Sequence, residues 1–173
     1  GEYYLTDLVA LARDDGELVS AIEASDALEV MGVDHRAKLA IAAAEMRCRI
    51  NERWMLSGVT MIDPDTTYVD AGVEIGVDTV IWPNTILQGE TRVGRGCTVG
   101  PNSIVRSSTI EDGCRVEMSV VEHAWMEEGS DVGPFGHLRK GAHLGTGAHM
   151  GNFGEVKNSY LGPGAKMGHF SYL

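Results

Sequence analysis

The amino-acid sequence predicts a mainly β protein: a parallel β-helix preceded by a long helix. An aliphatic residue recurs about every sixth position from Val69 onward, glycine often follows it directly, and residues 36–57 contain neither glycine nor proline. A period of six fits neither an amphipathic helix nor an array of hairpins. It fits a solenoid of short strands, in which three six-residue units make one triangular coil of 18 residues.

The repeat continues to the end of the sequence. Five-residue steps interrupt it, the first before Ile110 and another before Leu161. Each repeated aliphatic side chain is expected to point into the solenoid, and each following glycine to turn the corner between two strands. The repeated positions are Val69, Ile75, Ile81, Leu87, Val93, Val99, Val105, Ile110, Val116, Val121 or Val120, Met126, Val132, Leu138, Leu144, Met150, Val156, Leu161, Met167 and Leu173.

The residues before the repeat predict a small α/β segment and a long helix. Thr6 is expected to cap a short helix over residues 7–13, and residues 17–24 alternate like a strand. The alanine-rich stretch 36–57 follows Asp34, consists of strong helix formers and stops at Gly58. We therefore expect an α/β remnant over residues 1–33, a linker helix over 34–58, with an ordinary packed helix as the alternative, and the β-helix over 59–173.

Composition excludes several classes of protein. The 25 acidic residues against 14 Lys and Arg give a net charge of −11, which argues against a non-specific nucleic-acid binder. No apolar run reaches the ~20 residues of a membrane helix, and the first residues do not have the pattern of a signal peptide. Cys48, Cys97 and Cys114 form no CxxC pair. The sequence therefore predicts a cytoplasmic protein with reduced thiols and no membrane partner. Cys97 and Cys114, each two positions before a repeated valine, are expected inside adjacent coils.

A basic segment at the end of the chain is a candidate anion site. Residues 133–173 carry four Lys and Arg against one acid. Residues 18 apart lie on neighbouring coils about 4.8 Å apart, so Arg139 and Lys157 should stack on one edge, where an anion would relieve their repulsion. Tyr172 should reach the same edge, with His169 three residues before it. These four residues offer two phosphate-binding cations, an imidazole that can accept a proton and a phenolic donor. A solvated edge with unrelated charges is the alternative.

Histidines at six-residue spacing raise the question of a metal site. His137, His143 and His149 each precede an inward aliphatic residue, so the three should point outward from three different faces. One chain is not expected to converge them on a metal, so a metal site would require ligands from a neighbouring subunit. Trp82 and Trp125 flank the inward column and are expected to be packing or subunit-contact residues.

The repeat resembles the left-handed parallel β-helix of the hexapeptide acyltransferases, and that resemblance alone gives the hand. Within this class the chain is similar to the bifunctional N-acetylglucosamine-1-phosphate uridylyltransferase / glucosamine-1-phosphate N-acetyltransferase family, in the family's order along the whole chain. The matching segments are residues 1–7 (GEYYLTD), 58–64 (GVTMIDP), 133–141 (GPFGHLRKG), 151–157 (GNFGEVK) and 166–173 (KMGHFSYL).

The resemblance implies a site and a reaction. Arg139 and Lys157 would contact the phosphate of glucosamine 1-phosphate, and Tyr172 would help to hold the sugar. His169 would accept a proton from the 2-amino group as its nitrogen attacks the thioester of the co-substrate acetyl-CoA. The resemblance also implies a homotrimer with the site in clefts between subunits. The product would enter UDP-N-acetylglucosamine synthesis, and through it the bacterial cell wall, peptidoglycan and lipopolysaccharide.

The sequence departs from the family pattern locally at Lys140, Gly154 and residues 34–35, none of which removes a proposed catalytic group. The larger departure from the family pattern is in length. This sequence does not include most of the uridylyltransferase domain, which carries the magnesium ligands, or the coils that hold acetyl-CoA. The resemblance therefore implies a fragment that is inactive by itself, with residues 1–33 as the end of the uridylyltransferase domain. The alternatives are a non-catalytic trimeric scaffold, a fragment that only binds a sugar phosphate, and a zinc lyase with histidines meeting across subunits.

Overall fold

The structure, a computed structural model, describes residues 4–173. The chain divides into two compact units, Gly1–Ala42 and Ala43–Leu173. The first three residues of the predicted α/β remnant, and of the segment GEYYLTD, lie outside the described residues. None of the helices in the described part combines the length and the hydropathy that a membrane span requires.

The first unit contains a short helix, α1 (Asp7–Asp14), a 3-10 turn (Ala27–Val30) and the beginning of α2 (Arg36–Leu56). Helix α1 is present as predicted, but Thr6 has helical backbone angles and its side chain makes no capping hydrogen bond. The predicted strand over residues 17–24 is wrong: all of these residues are described and none is in a strand. Leu18 and Ile22 are 98% and 94% exposed, and a strand without a partner strand or a packed face is not stable.

Helix α2 confirms the predicted long helix. Its second half belongs to the second unit, where Ile50 is buried and Trp54 packs against the hydrophobic core. The buried Asn51 donates through Nδ2 to the carbonyl oxygens of Pro64 (2.8 Å) and Thr67 (3.0 Å), which bound a 3-10 turn, Pro64–Thr66. A buried amide that satisfies two backbone carbonyls fixes the helix against the turn that precedes the first full coil.

The second unit confirms the predicted parallel β-helix. Within residues 4–173 its strands form three parallel sheets. The first sheet contains β1 (Thr60–Met61), β4 (Val80–Ile81), β7 (Thr98–Val99), β10 (Arg115–Val116), β13 (Asp131–Val132), β16 (His149–Met150) and β19 (Lys166–Met167). The second contains β2 (Tyr68–Val69), β5 (Ile86–Gln88), β8 (Ile104–Arg106), β11 (Val120–Glu122), β14 (His137–Leu138) and β17 (Glu155–Val156). The third contains β3 (Glu74–Ile75), β6 (Arg92–Val93), β9 (Thr109–Ile110), β12 (Trp125–Met126), β15 (His143–Leu144) and β18 (Tyr160–Leu161).

The core is the column of repeated aliphatic side chains inside the coils. From Val69 to Val156 every one of them is buried, and Val121, not Val120, is the inward residue of its strand. Cys97 and Cys114 are both 1% exposed, as predicted, and burial raises the pKa of the Cys97 thiol to about 11. Side chains alternate between the two faces of a strand, so every second residue points inward. The register between successive coils therefore fixes which side chains form the core.

The glycines after the aliphatic residues correct one expectation. Of these, Gly100 and Gly133 have positive φ values (103° and 118°), but Gly76 does not. A Cβ atom on Gly76 would lie 2.6 Å from the carbonyl carbon of Gly94 on the next coil. Where a further coil packs on the glycine, as at Gly76, the glycine is therefore required chiefly because successive coils approach closely. Residues such as Gly96 (φ 63°) make the left-handed corner between the third and first sheets.

Candidate functional site

Arg139 and Lys157 lie on adjacent coils, at the end of neighbouring strands in the second sheet. Strands β14 and β17 pair with Leu138 opposite Val156, so the residue that follows each of them occupies the same column. The backbone N–H of Arg139 donates to the Val156 carbonyl at 2.9 Å, and that of Lys157 donates to the Leu173 carbonyl at 2.8 Å. The 18-residue spacing predicted this stacking, because the two coils are in register.

Tyr172 and His169 lie on the following coil. Tyr172 forms an isolated parallel bridge with Glu155, which in turn pairs with His137, so the three residues share one outward column on the second sheet. His169 follows β19 and precedes this bridge, which places it at the corner between the first and second sheets. Both side chains are exposed, 70% for Tyr172, and within residues 4–173 no hydrogen bond joins any two of the four predicted site residues.

Glu155 is a member of this cluster that the sequence analysis did not assign. Arg139 donates through Nη1 to Glu155 Oε1 at 2.8 Å, and this hydrogen bond is the main cause of the raised pKa of the guanidinium. The ammonium group of Lys157 makes no hydrogen bond or ion pair in the part of the chain that the structure describes. One cation of the pair is therefore compensated by Glu155, and the other is available to an anion.

The column that contains Arg139 and Lys157 continues with polar side chains onto the three preceding coils. Arg106 donates through Nε to Gln88 (2.8 Å) and through Nη1 to Glu122 (2.7 Å). Glu122 also pairs with His137 Nε2 at 3.2 Å, and these contacts, first that with His137 and then that with Arg106, lower the pKa of its carboxyl group. The alternation of cation and carboxylate along the column orders the side chains beside Arg139.

The three evenly spaced histidines belong to three different sheets, as expected. Each pairs with a carboxylate from the preceding coil, as His143 Nε2 does with Glu127 Oε1 (2.7 Å) and His149 Nδ1 with Asp131 Oδ2 (2.7 Å). They do not converge on one point. Among the described residues no group of three or more His, Cys, Asp or Glu side chains is arranged to hold a metal ion.

A phenylalanine column borders His169 and was missed at the level of sequence. Phe135, Phe153 and Phe170 all have positive φ values (60°, 53° and 51°) and stack at centroid distances of 5.1 and 5.2 Å. The imidazole of His169 meets the ring of Phe170 edge-on at 5.6 Å. The signal available in the sequence was the recurrence of Phe at 18- and 17-residue spacing. Non-glycine residues with positive φ are uncommon, so their recurrence in the structure marks the same corner on three successive coils.

The chain has close relatives among curated proteins. The "Bifunctional protein GlmU" of Latilactobacillus sakei subsp. sakei (strain 23K) is 47% identical over 159 residues, which are 92% of this chain and 34% of that protein. The protein of the same name from Clostridioides difficile (strain 630) is 44% identical over 173 residues, which are 100% of this chain and 38% of that protein. No protein-family model matches the chain.

Among solved structures, the acetyltransferase domain of PglB from Neisseria gonorrhoeae FA1090 is similar at 16% identity and a TM-score of 0.42, covering 72% of this chain and 58% of that chain. This likeness is too distant to carry an argument about function. The identity to the curated proteins is much higher, although the chain spans only 34% to 38% of their length. Since that identity extends over nearly all of its own length, the chain belongs to the family of the bifunctional protein GlmU.

Proposed function

We propose that this chain carries the sugar-phosphate site of an enzyme that transfers an acetyl group from acetyl-CoA to the amino group of glucosamine 1-phosphate. Acetyl-CoA is a co-substrate of this reaction. The product, N-acetylglucosamine 1-phosphate, is what the family's uridylyltransferase activity would consume in the synthesis of UDP-N-acetylglucosamine.

The observation that carries the proposal is the stacking of Arg139 and Lys157. Two cations on adjacent coils, one of them without a partner among the described residues, suit a dianionic phosphate that accepts hydrogen bonds from both. Tyr172, one coil further along the same sheet, would contact the sugar ring. The assignment of these roles also draws on the segments that this chain shares with its family.

His169 is proposed as the proton acceptor. The unprotonated ring nitrogen of a neutral imidazole can accept a proton from a substrate amine. As the amino nitrogen of the sugar forms a bond to the thioester carbonyl carbon, His169 takes one proton from that nitrogen, and the C–S bond then breaks to release CoA. No acyl-enzyme is needed, which agrees with Cys97 and Cys114 being buried in the core.

A trimer is part of the proposal. The outward face of the second sheet carries an apolar column on its first four strands, which then continues into His137, Glu155 and Tyr172. The apolar members are Tyr68, Ile86, Ile104 and Val120. An apolar face that leads directly into the site supports contact between copies of the chain, with the sugar phosphate bound beside that contact.

Magnesium would serve the uridylyltransferase activity. The described residues of this chain do not fit it, because none of their carboxylates are grouped to hold a metal.

The three free cysteines, Cys48, Cys97 and Cys114, support a reducing compartment, and we include a cytoplasmic location in the proposal.

Calorimetric titration with glucosamine 1-phosphate tests the site. Arg139→Ala and Lys157→Ala should each lower the affinity by about 10- to 150-fold, because this is the usual contribution of one hydrogen bond to a charged group. Arg92→Ala is the matched control, because Arg92 also forms an exposed ion pair, with Glu74, but on the third sheet. His169→Ala should retain binding within about threefold, since the imidazole is assigned to proton transfer. A folded wild-type chain that binds no sugar phosphate would favour the scaffold alternative.

A further inference from the structure

Trp125 is held rigidly on the outward face of the third sheet, away from the site described above. Its indole Nε1 donates to Glu111 Oε1 at 2.9 Å, and its ring stacks on His143 with a centroid distance of 4.6 Å and an interplanar angle of 5°. Even so, Trp125 is 45% exposed. A large aromatic ring that is both fixed and exposed loses little conformational entropy when a ligand packs on it.

His143 is fixed in the same way. Its ring lies between those of Trp125 and Tyr160, with centroids 4.6 and 4.5 Å away, and its Nε2 is 2.7 Å from Glu127 Oε1. Glu127 also accepts hydrogen bonds from the backbone and the hydroxyl of Thr146. An ionised carboxylate only accepts, so Nε2 carries the proton and Nδ1 of a neutral ring is left as an acceptor. Within residues 4–173, Nδ1 has no hydrogen-bond partner.

Among the described residues no ring contact covers the other face of the indole. Trp125 lies in register between His143 on the following coil and Thr109 on the preceding coil. The indole face turned away from His143 is therefore directed toward the coil that carries the short side chain of Thr109. A depression of about 370 Å³ at this place is lined by Ser107, Thr109, His123, Trp125 and His143, together with small residues. The hydroxyls of Ser107 and Thr109 and the imidazole of His123 make no hydrogen bond among the described residues.

We propose that this depression, the Trp125 site, binds an uncharged saccharide ring. The apolar C–H face of a pyranose would pack on the free indole face, and its hydroxyl groups would exchange hydrogen bonds with the hydroxyls and imidazoles at the rim. The carboxylates of Glu111 and Glu127 border the stack and would repel a phosphate. This chemistry therefore differs from that of the Arg139–Lys157 edge, and the proposal does not rest on the proposed function.

Saccharide binding to the full chain tests the proposal, with cellobiose and N,N′-diacetylchitobiose as probes in saturation-transfer NMR and calorimetry. Both the wild type and Trp82→Ala should bind at least one probe saturably, because Trp82, 41% exposed, lies on the first sheet. Trp125→Ala should weaken that binding by about tenfold or more, since the stacking surface is removed. Arg139→Ala should leave it unchanged.

A second variant does not depend on removing a packed ring. In Thr109→Phe the introduced ring would cover the free indole face while Trp125 remains in place, and binding should again fall by about tenfold. No saturable binding of either probe by the wild type would overturn the proposal. Equal losses in Trp82→Ala and Trp125→Ala, or displacement of the saccharide by glucosamine 1-phosphate, would do the same.

Discussion

Arg139 and Glu155 form an ion pair of 2.8 Å across two coils, on the strand pair that also positions Lys157. Glu155 belongs to strand β17 itself, two residues before Lys157, and its carboxylate pairs with Arg139 on the preceding coil. It compensates the charge of Arg139 when no anion is bound. A phosphate that uses Arg139 must therefore compete with Glu155 for the same guanidinium.

Replacing this competing carboxylate should strengthen anion binding. Glu155→Gln removes a negative charge beside the proposed phosphate position and releases Arg139, so inorganic phosphate should bind about 2- to 10-fold more tightly. Calorimetry at constant ionic strength measures the change. Glu74→Gln, which breaks the exposed pair with Arg92 on another sheet, should not alter the affinity. Weaker phosphate binding in Glu155→Gln would show that Glu155 orients Arg139 and does not compete for it.

The hydrogen bonds of the Glu127 carboxylate should make the free energy of unfolding depend on pH. Hydrogen bonds from Thr146, and with them the contact with His143, hold the pKa of the Glu127 carboxyl below its ordinary value of 4.5. A carboxyl group with a lowered pKa stabilises the fold above its ordinary pKa, and this contribution is lost as the pH falls through the folded-state value.

Urea unfolding between about pH 6 and pH 3 measures this contribution. The free energy of unfolding of Glu127→Gln should be lower than that of the wild type at the upper end, and the difference should vanish at the lower end. Glu128→Gln is the control, because the Glu128 side chain makes no hydrogen bond or ion pair within residues 4–173. A difference that persists unchanged at low pH would assign the effect to packing.

The close approach of successive coils should be visible in a pair of glycine variants. Gly76→Ala places a Cβ atom 2.6 Å from backbone of the next coil and should lower the free energy of unfolding by about 1–3 kcal/mol. Gly162→Ala, at the equivalent position of a later coil, meets no atom within 4 Å and should change stability by less than about 1 kcal/mol. Equal destabilisation by both variants would contradict coil-to-coil contact as the cause.

The cysteines should differ sharply in reactivity. Cys48 is exposed on α2, whereas Cys97 and Cys114 are buried and burial raises the pKa of both thiols, that of Cys97 to about 11. Because the thiolate is the nucleophile, iodoacetamide at about pH 8 should add one alkyl group to the native chain and three to the urea-unfolded chain. Intact-mass spectrometry reads the count. Rapid triple alkylation under native conditions would be inconsistent with a closed core.

Most of the β-helix was predictable from sequence because its rule is local and repeated. An aliphatic residue at about every sixth position indicates which side chain points inward and how many residues make a coil. From Val69 to Val156 the repeated aliphatic side chains are all buried, as this pattern predicts. Stacking of Arg139 on Lys157 follows from the same count. The strand predicted over residues 17–24 was wrong because alternation is only a local signal, and a strand also needs a neighbour that the local sequence does not specify.

The sequence by itself determined the repeat, the core, the long helix and the shared column of Arg139 and Lys157. Tertiary structure decided which valine of residues 120–121 turns inward, that Glu155 pairs with Arg139, and that Trp125 stacks on His143. The physical reason is that register fixes only which residues are neighbours. Hydrogen bonds and ring contacts depend on side-chain direction across coils, which each residue adopts only when its neighbours are in place.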